Sequence, residues 1–154
     1  QQIAAVIRER RDDPLDLMLP FREPLDAFRR ATHGARHLET MLSVHITAGM
    51  LDDFYLALSG GYGATGDRVA KILQGDDDRQ ALVRLLTDAI DADEQWRDLL
   101  SLWGRRLVGD TLLIVRGALR PQTLDAAEEK KVEPVFTDLL AAHSRRMSAI
   151  GLDA

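Results

Sequence analysis

The sequence contains no cysteine, and this absence removes several kinds of chemistry at once. Disulfides, thiolate zinc sites and cysteine nucleophiles are excluded, so any bound metal would need Asp, Glu or His ligands. Aromatic residues are also scarce, at 5% of the chain. This scarcity suits a helical core built from Leu, Ala, Val and Ile.

Several longer patterns are missing as well. No uninterrupted apolar run approaches the roughly 20 residues of a membrane-spanning helix, and the charged first residues do not resemble a secretory signal. We therefore expect a cytoplasmic protein that does not contact a membrane. The chain has no glycine-rich phosphate loop, no Gly-x-Ser-x-Gly elbow and no His-Glu-x-x-His pair. Nucleotide-binding and hydrolase functions therefore have no support.

What is present indicates one folded domain. The chain has 154 residues, of which 45% are hydrophobic and 29% charged, values that are normal for a globular domain. We expect a single domain over residues 1–154. The net charge of −5 gives no general attraction to nucleic acid. The arginine clusters at residues 8–11, 105–106 and 145–146 are best explained as solvated helix faces.

The hydrophobic spacing is that of helices, and no period-two strand pattern occurs. We predict an all-α bundle of six to eight helices. Asp93 is placed to cap one helix, Gly151 to end the last one, and Pro134 to divide the final part in two. Asp125 and Glu128 have the spacing of a capping box. The helices are expected at about residues 1–11, 21–31, 36–59, 67–74, 79–92, 94–119 and 135–150.

The first residues, "QQIAAVIRERR", lack an initiator Met and are already in helical register. We therefore expect the helix to begin upstream of residue 1. In the next helix we expect Phe21, Leu25 and Phe28 to be buried.

The helix at 36–59 carries two candidate core stripes. One contains apolar residues at steps of three and four, and we expect it to face the core. The other places Glu39 and Asp53 in line with Leu42, Ile46 and Met50. Glu39 either faces inward, where it would need a partner or a metal, or borders the core as a solvated helix N-terminal carboxylate. The first stripe consists of Met41, Val44, Ala48, Leu51, Tyr55 and Leu58.

The four histidines are weak metal candidates. His33 and His37 have the spacing of a metal pair on a helix, but Gly34 lies between them, which favours a loop followed by a helix start. His45 is expected to be a packed or surface residue. We expect His143 on the polar flank of the last helix or near its C-terminal end, where a cation is favoured.

Asp76, Asp77 and Asp78 form the run "QGDDDRQ" between two apolar segments. A calcium loop would need alternating oxygen ligands, a central glycine and a closing glutamate, and none of these follows. Helix initiation explains the run better, because carboxylates accept the free amides of a helix N-terminus.

Four segments resemble a known family. "LMLPFREPLDAFRRAT", "LETMLSVHITAGMLDDFYLAL", "LSLWGRRLVGDTL" and "LLAAHSRRMSAIGL" resemble the actinobacterial ferritin-like proteins grouped with the tRNA hydroxylase that oxidises 2-methylthio-isopentenyladenosine. The resemblance covers roughly residues 15–152, and "LWGRRLVG" and "AHSRRM" are its most specific pieces. It implies a ferritin-like bundle with additional C-terminal helices, and two irons held by glutamates and two Glu-x-x-His motifs.

The resemblance also implies which residues would hold metal. Glu39 matches the lone glutamate, whereas Gly75 to Asp78 occupy the place of the following Glu-x-x-His. Glycine offers no ligand and Asp78 replaces the histidine, so Glu39 and Asp78 are the metal ligands that remain. The other two ligand-bearing helices would precede residue 1, so we expect the chain to have an upstream segment or to borrow packing from a partner.

Two functions follow from this sequence. The first is a ferritin-like protein resembling the di-iron tRNA hydroxylases, with a degraded iron site and uncertain activity. The second is a non-catalytic helical interaction or scaffold protein that packs against a partner subunit. We expect a homo-oligomer or a complex with another protein, and tRNA binding is implied by the family resemblance alone.

Overall fold

The structure is a computed structural model that describes residues 2–75, 77–119 and 126–154, with side chains described for 2–75, 79–114 and 133–154. Within these residues the chain forms eight α-helices and no strand. Two 3₁₀ turns, Leu19–Phe21 and Gly60–Tyr62, join neighbouring helices. The helices are α1 (Gln2–Glu9), α2 (Pro14–Met18), α3 (Arg22–Thr32), α4 (His37–Ser59), α5 (Gly63–Gln74), α6 (Asp77–Ala92), α7 (Glu94–Leu119) and α8 (Ala126–Ser148).

Helix α4 is the centre of the bundle and contacts α5, α6, α7 and α8. The His37 and Trp96 rings lie 5.9 Å apart, and the Trp103 indole donates to the Ser43 hydroxyl at 2.9 Å. Helices α4 and α7 therefore run in the same direction. The main core is formed by α4, α6, α7, α8 and the end of the chain. It contains Leu38, Leu42, Ile46, Met50, Leu86, Ile90, Leu100, Leu107, Met147, Ile150 and Leu152.

Helix α8 runs opposite to α4 and lies close to both α4 and α7. Leu139 packs with Phe54 near the end of α4, whereas Arg146 lies over Gly49, closer to its start. On α7, a Cβ added to Gly104 would lie 2.3 Å from the Met147 methyl carbon. Glycines at these positions therefore allow large α8 side chains to fill the space between the helices.

The prediction of which α4 stripe faces the core is wrong. Val44, Tyr55 and Leu58 are exposed, and the buried stripe is the one that begins with Glu39 and includes Leu42, Ile46 and Met50. Periodicity could not choose between them, because α4 is apolar on both faces. The burial expected for Phe21 and Leu25 is also wrong, since these side chains are 58% and 44% exposed.

Several predicted helix limits are confirmed and others are corrected. Asp93 caps α7, with its carboxylate accepting from the Gln95 amide at 2.9 Å. Pro134 does not divide the last part, because α8 continues through it. Helix α5 begins earlier than expected, at Gly63, and Gly66 lies so close to the end of α4 that an added Cβ would be 2.0 Å from the Ser59 carbonyl oxygen. The capping box expected at Asp125 lies outside the described residues.

Gly151 ends the last helical segment as predicted. It has a positive φ of 76°, its amide donates to Ser148 O, and the Leu152 amide donates to Met147 O, each at 3.1 Å. This is a Schellman motif, and it turns the Leu152 side chain back into the core. Within the described part, no helix combines the length and the apolarity that a membrane crossing requires.

Two glycine substitutions should therefore have opposite effects on stability. Gly151→Ala should lower the free energy of unfolding by about 1–2 kcal/mol, because alanine is strained at positive φ. Gly109→Ala should raise it by about 0.5–1 kcal/mol, since Gly109 lies within α7 and an added Cβ would have no neighbouring atom within 4 Å. Urea denaturation measures both, and a Gly151→Ala variant as stable as the unchanged chain would contradict this account of the helix end.

Candidate functional site: Glu39 and the polar groups of the central helix

Glu39 is the residue around which a metal site was predicted. It lies in the first turn of α4 and is 7% exposed. Its Oε2 accepts a hydrogen bond from the Arg36 backbone amide at 3.0 Å, and Oε1 lies 4.0 Å from Arg36 Nη1. The carboxylate thus serves as the returning half of a capping box. Glu39 is buried, which agrees with one of its two predicted alternatives. Its hydrogen-bond partner is the Arg36 amide, immediately before the helix.

The loop before α4 closes over this carboxylate. A Cβ on Gly34 would lie 2.3 Å from Glu39 Cβ, so the loop backbone is in direct contact with the glutamate. The Thr40 hydroxyl donates toward the carbonyl oxygens of Gly34 and Arg36, each at 3.2 Å. Glu39 is therefore held at the N-terminal end of α4.

The other predicted ligands do not join Glu39. His33 lies beyond the end of α3 in extended backbone, whereas His37 opens α4 and packs on Trp96. The two imidazoles do not share a helix, in agreement with a loop followed by a helix start. The Asp78 side chain lies outside the described residues, although Asp77 begins α6 as expected for helix initiation.

No three potential ligands of the Asp, Glu, His or Cys types come together among the residues whose side chains the structure describes. The roles of Glu39 and Asp78 as metal ligands stay predictions. Among the described residues, the Glu39 carboxylate has one amide and one guanidinium as partners. Both stabilise an anion and compete with a cation.

Every charged side chain of α4 has an intramolecular partner. Asp52 pairs with Arg79 of α6, and Asp53 accepts from Arg146 of α8 at 2.6 Å. Together with Glu39, these are all of the Asp, Glu, Lys and Arg residues of the helix. Each pair joins α4 to a different segment, so the charges orient the bundle and do not converge on one site.

The Arg146–Asp53 pair was missed by the sequence analysis. The Arg146 side chain is 14% exposed and lies against Gly49, where an added Cβ would be 2.3 Å from its Nε. A glycine in the middle of a long apolar helix was the available signal, since it marks a place where another element approaches closely. The identity of that element depends on contacts distant in sequence.

His143 lies in the core, which corrects its predicted position on a polar flank. It is 2% exposed, and neither ring nitrogen has a hydrogen-bond partner among the described residues. Burial, assisted by the neighbouring Arg146 charge, lowers the pKa of His143 to about 4. The imidazole is therefore neutral at physiological pH. His45 is also buried, so of its two predicted positions, packed or on the surface, the packed one is correct.

Replacing Glu39 should separate capping from charge. Glu39→Ala should lower the free energy of unfolding by about 1–2 kcal/mol, because the Arg36 amide loses its acceptor inside a buried turn. Glu39→Gln should retain most of the stability, since glutamine can accept the same bond. Urea denaturation in metal-free buffer measures both variants. Equal losses for the two would contradict a capping role.

His143 should make the protein acid-sensitive. Its pKa is near the ordinary 6.5 in the unfolded chain and about 4 in the folded one, so acidification protonates the unfolded chain first. Stability contributed by His143 is complete above pH 6.5 and is lost as the pH falls toward 4, by up to about 3 kcal/mol. In His143→Leu this slope should flatten, whereas in the exposed His33→Leu control it should remain. An unchanged slope in His143→Leu would contradict burial of a neutral imidazole.

Comparison with known proteins agrees with the helical architecture. Residues 1–120 match the family model described as a ferritin-like domain of actinomycetes. No curated protein matches the chain. Since the matched region covers most of the sequence, this all-α chain belongs to the actinomycete ferritin-like domain family.

Proposed function

We propose that this ferritin-like protein works as a helical interaction or scaffold protein, by binding another polypeptide, and not through di-iron oxygen chemistry. The observation that carries the proposal is the outward face of α4, which we call the outer seam. Its six apolar residues continue over 18 residues of helix. They are Met41, Val44, Ala48, Leu51, Tyr55 and Leu58.

The outer seam is apolar where water would favour polar side chains. Val44 is 53% exposed, Tyr55 52% and Leu58 37%. The other three members are partly buried, and two of them, Met41 and Leu51, pack against the chain's own core clusters. A helix that is apolar on all sides needs cover on all sides, and the apolar side chains left exposed on such a helix favour a protein contact.

A second exposed apolar group precedes α4. It occupies α2, the following 3₁₀ turn and the start of α3, and includes Leu15, Met18 and Phe21, which are 68%, 50% and 58% exposed. These residues add to the surface that a protein partner can bury.

The residues near Glu39 do not fit a di-iron centre. The Glu39 carboxylate accepts from the Arg36 amide, and the segment Gly75 to Asp78 contains neither glutamate nor histidine. A di-iron centre of the ferritin type needs four carboxylates and two histidines. This mismatch supports a function that does not depend on iron.

The alternative function is an iron-dependent hydroxylase related to the tRNA-modifying enzymes. Its support is the resemblance of the four sequence segments, together with the ferritin-like family. With a net charge of −5, the chain offers no overall electrostatic attraction to tRNA. We therefore rank this function second.

Iron loading tests the choice between these functions. The full-length protein, with any residues that precede residue 1, is purified, incubated anaerobically with ferrous iron and desalted. A di-iron protein would retain about two irons per chain, and we expect far less. Metal analysis by mass spectrometry gives the ratio. Its stability in urea should also be unchanged by iron.

The controls use Glu39→Gln and Glu23→Gln, since Glu23 is an exposed glutamate on α3. About two irons per chain, lost in Glu39→Gln and kept in Glu23→Gln, would contradict the proposed function. Such a result would establish Glu39 as a ligand.

A further inference from the structure

A groove lies between the C-terminal half of α4 and helix α8, and none of the residues that line it belongs to the outer seam. Its volume is about 240 Å³. Because sites for drug-sized ligands usually measure about 300–1,000 Å³, this groove suits a smaller molecule. Its α8 residues, from Val135 to Arg145, share one side of that helix, so the groove runs along the helix axis.

The walls of the groove are mostly apolar. Leu56 and Ala57 form the α4 side. Val135, Leu139 and Ala142 form the α8 side. Leu139 is only 2% exposed and packs in the core, so this wall is fixed by the fold. A molecule that lies along the groove therefore gains most if its middle part is an apolar chain.

Two side chains of opposite charge also line the groove. Asp138 and Arg145 are both exposed, and neither side chain forms an ion pair with another described residue. They are seven residues apart, so their Cα atoms are separated by about 10 Å along the axis of α8. The remaining charged residue of the groove, Asp53, already accepts a hydrogen bond from Arg146 at 2.6 Å. Asp138 and Arg145 are therefore the two charges that a ligand can engage.

We infer that this groove binds a small zwitterion of the ω-amino acid class, with its ammonium group at Asp138 and its carboxylate at Arg145. The unbranched apolar chain between the two charges lies over Leu139 and Ala142. A ligand with one charge would leave either Asp138 or Arg145 without a partner, whereas a zwitterion engages both. The site is separate from the outer seam and does not depend on the proposed interaction function.

The affinity should be modest, because both charges are exposed and exposed ion pairs are weak. For a ligand of this size we expect a dissociation constant of about 1 mM.

A nuclear magnetic resonance titration with 6-aminohexanoate tests the site. In proton–nitrogen correlation spectra of the full-length protein, the amide signals of Ala57, Leu139 and Ala142 should shift with a dissociation constant of about 1 mM. Hexanoate and hexylamine each keep the apolar chain and one of the two charges. Both should bind about threefold to fivefold more weakly.

Substitutions of the two charged residues test their roles. Asp138→Asn and Arg145→Gln should each weaken the binding of 6-aminohexanoate by about threefold to fivefold. The matched controls are Asp88→Asn and Arg84→Gln, since both residues are exposed on α6, outside the groove. Their dissociation constants should remain unchanged. The double variant Asp138→Arg with Arg145→Asp should recover binding, because the zwitterion can then bind in the opposite direction.

Three results would overturn the inference. One is the absence of shifts at tens of millimolar 6-aminohexanoate, and another is equal affinity for 6-aminohexanoate, hexanoate and hexylamine. The third is equal weakening by the groove variants and by the α6 controls. Far-ultraviolet circular dichroism verifies the helical fold of each variant, and substitutions at exposed positions should leave that fold intact.

Discussion

The packing of α4 against α6, α7 and α8 in the main core is the interaction on which the rest of the structure depends. Leu42, Ile46 and Met50 of α4 are fully buried, and the core residues of α6, α7 and α8 pack around them. Complete burial of a large aliphatic side chain contributes about 1.5–3 kcal/mol, so these residues dominate the stability of the bundle. Gly49 and Gly104 allow this close packing, since each leaves space for an α8 side chain.

The polar groups of α4 are consistent with a structural role. Its charged residues hold the entering loop, α6 and α8 in place, each through a separate contact. Metal chemistry would require such carboxylates to converge on one point, whereas here they point to different segments. The outer seam is apolar and partly exposed, which is the basis for assigning the function to association with another polypeptide.

The sequence predicted the fold class and several helix ends well, because these depend on local chemistry. Gly151 and Asp93 act through backbone groups within a few residues, and both predictions are confirmed. The burial of α4 could not be predicted in the same way. Its two apolar stripes are equally periodic, and only contacts with α6, α7 and α8 decide which one faces the core.

In the candidate site, too, only the contacts between residues close in sequence could be predicted. The capping role of Glu39 depends on residues three positions apart and was within reach of the sequence. The Arg146–Asp53 pair joins residues 93 positions apart in the sequence, so it follows from the tertiary fold alone. The burial of His143 also depends on packing between helices. The family was recognised from its sequence segments, whereas the resemblance to the tRNA hydroxylases stays a prediction.

The most direct measurement of the central claim, that the outer seam is covered by protein in solution, is the nitration of tyrosine. The chain has two tyrosines, of which Tyr62 is 71% exposed and Tyr55, within the seam, is 52% exposed in the single chain. Peptide mass spectrometry of the protein nitrated inside the cells that produce it naturally, where its partner is present, should find Tyr62 modified and Tyr55 protected. Equal nitration of both tyrosines in those cells would contradict the claim.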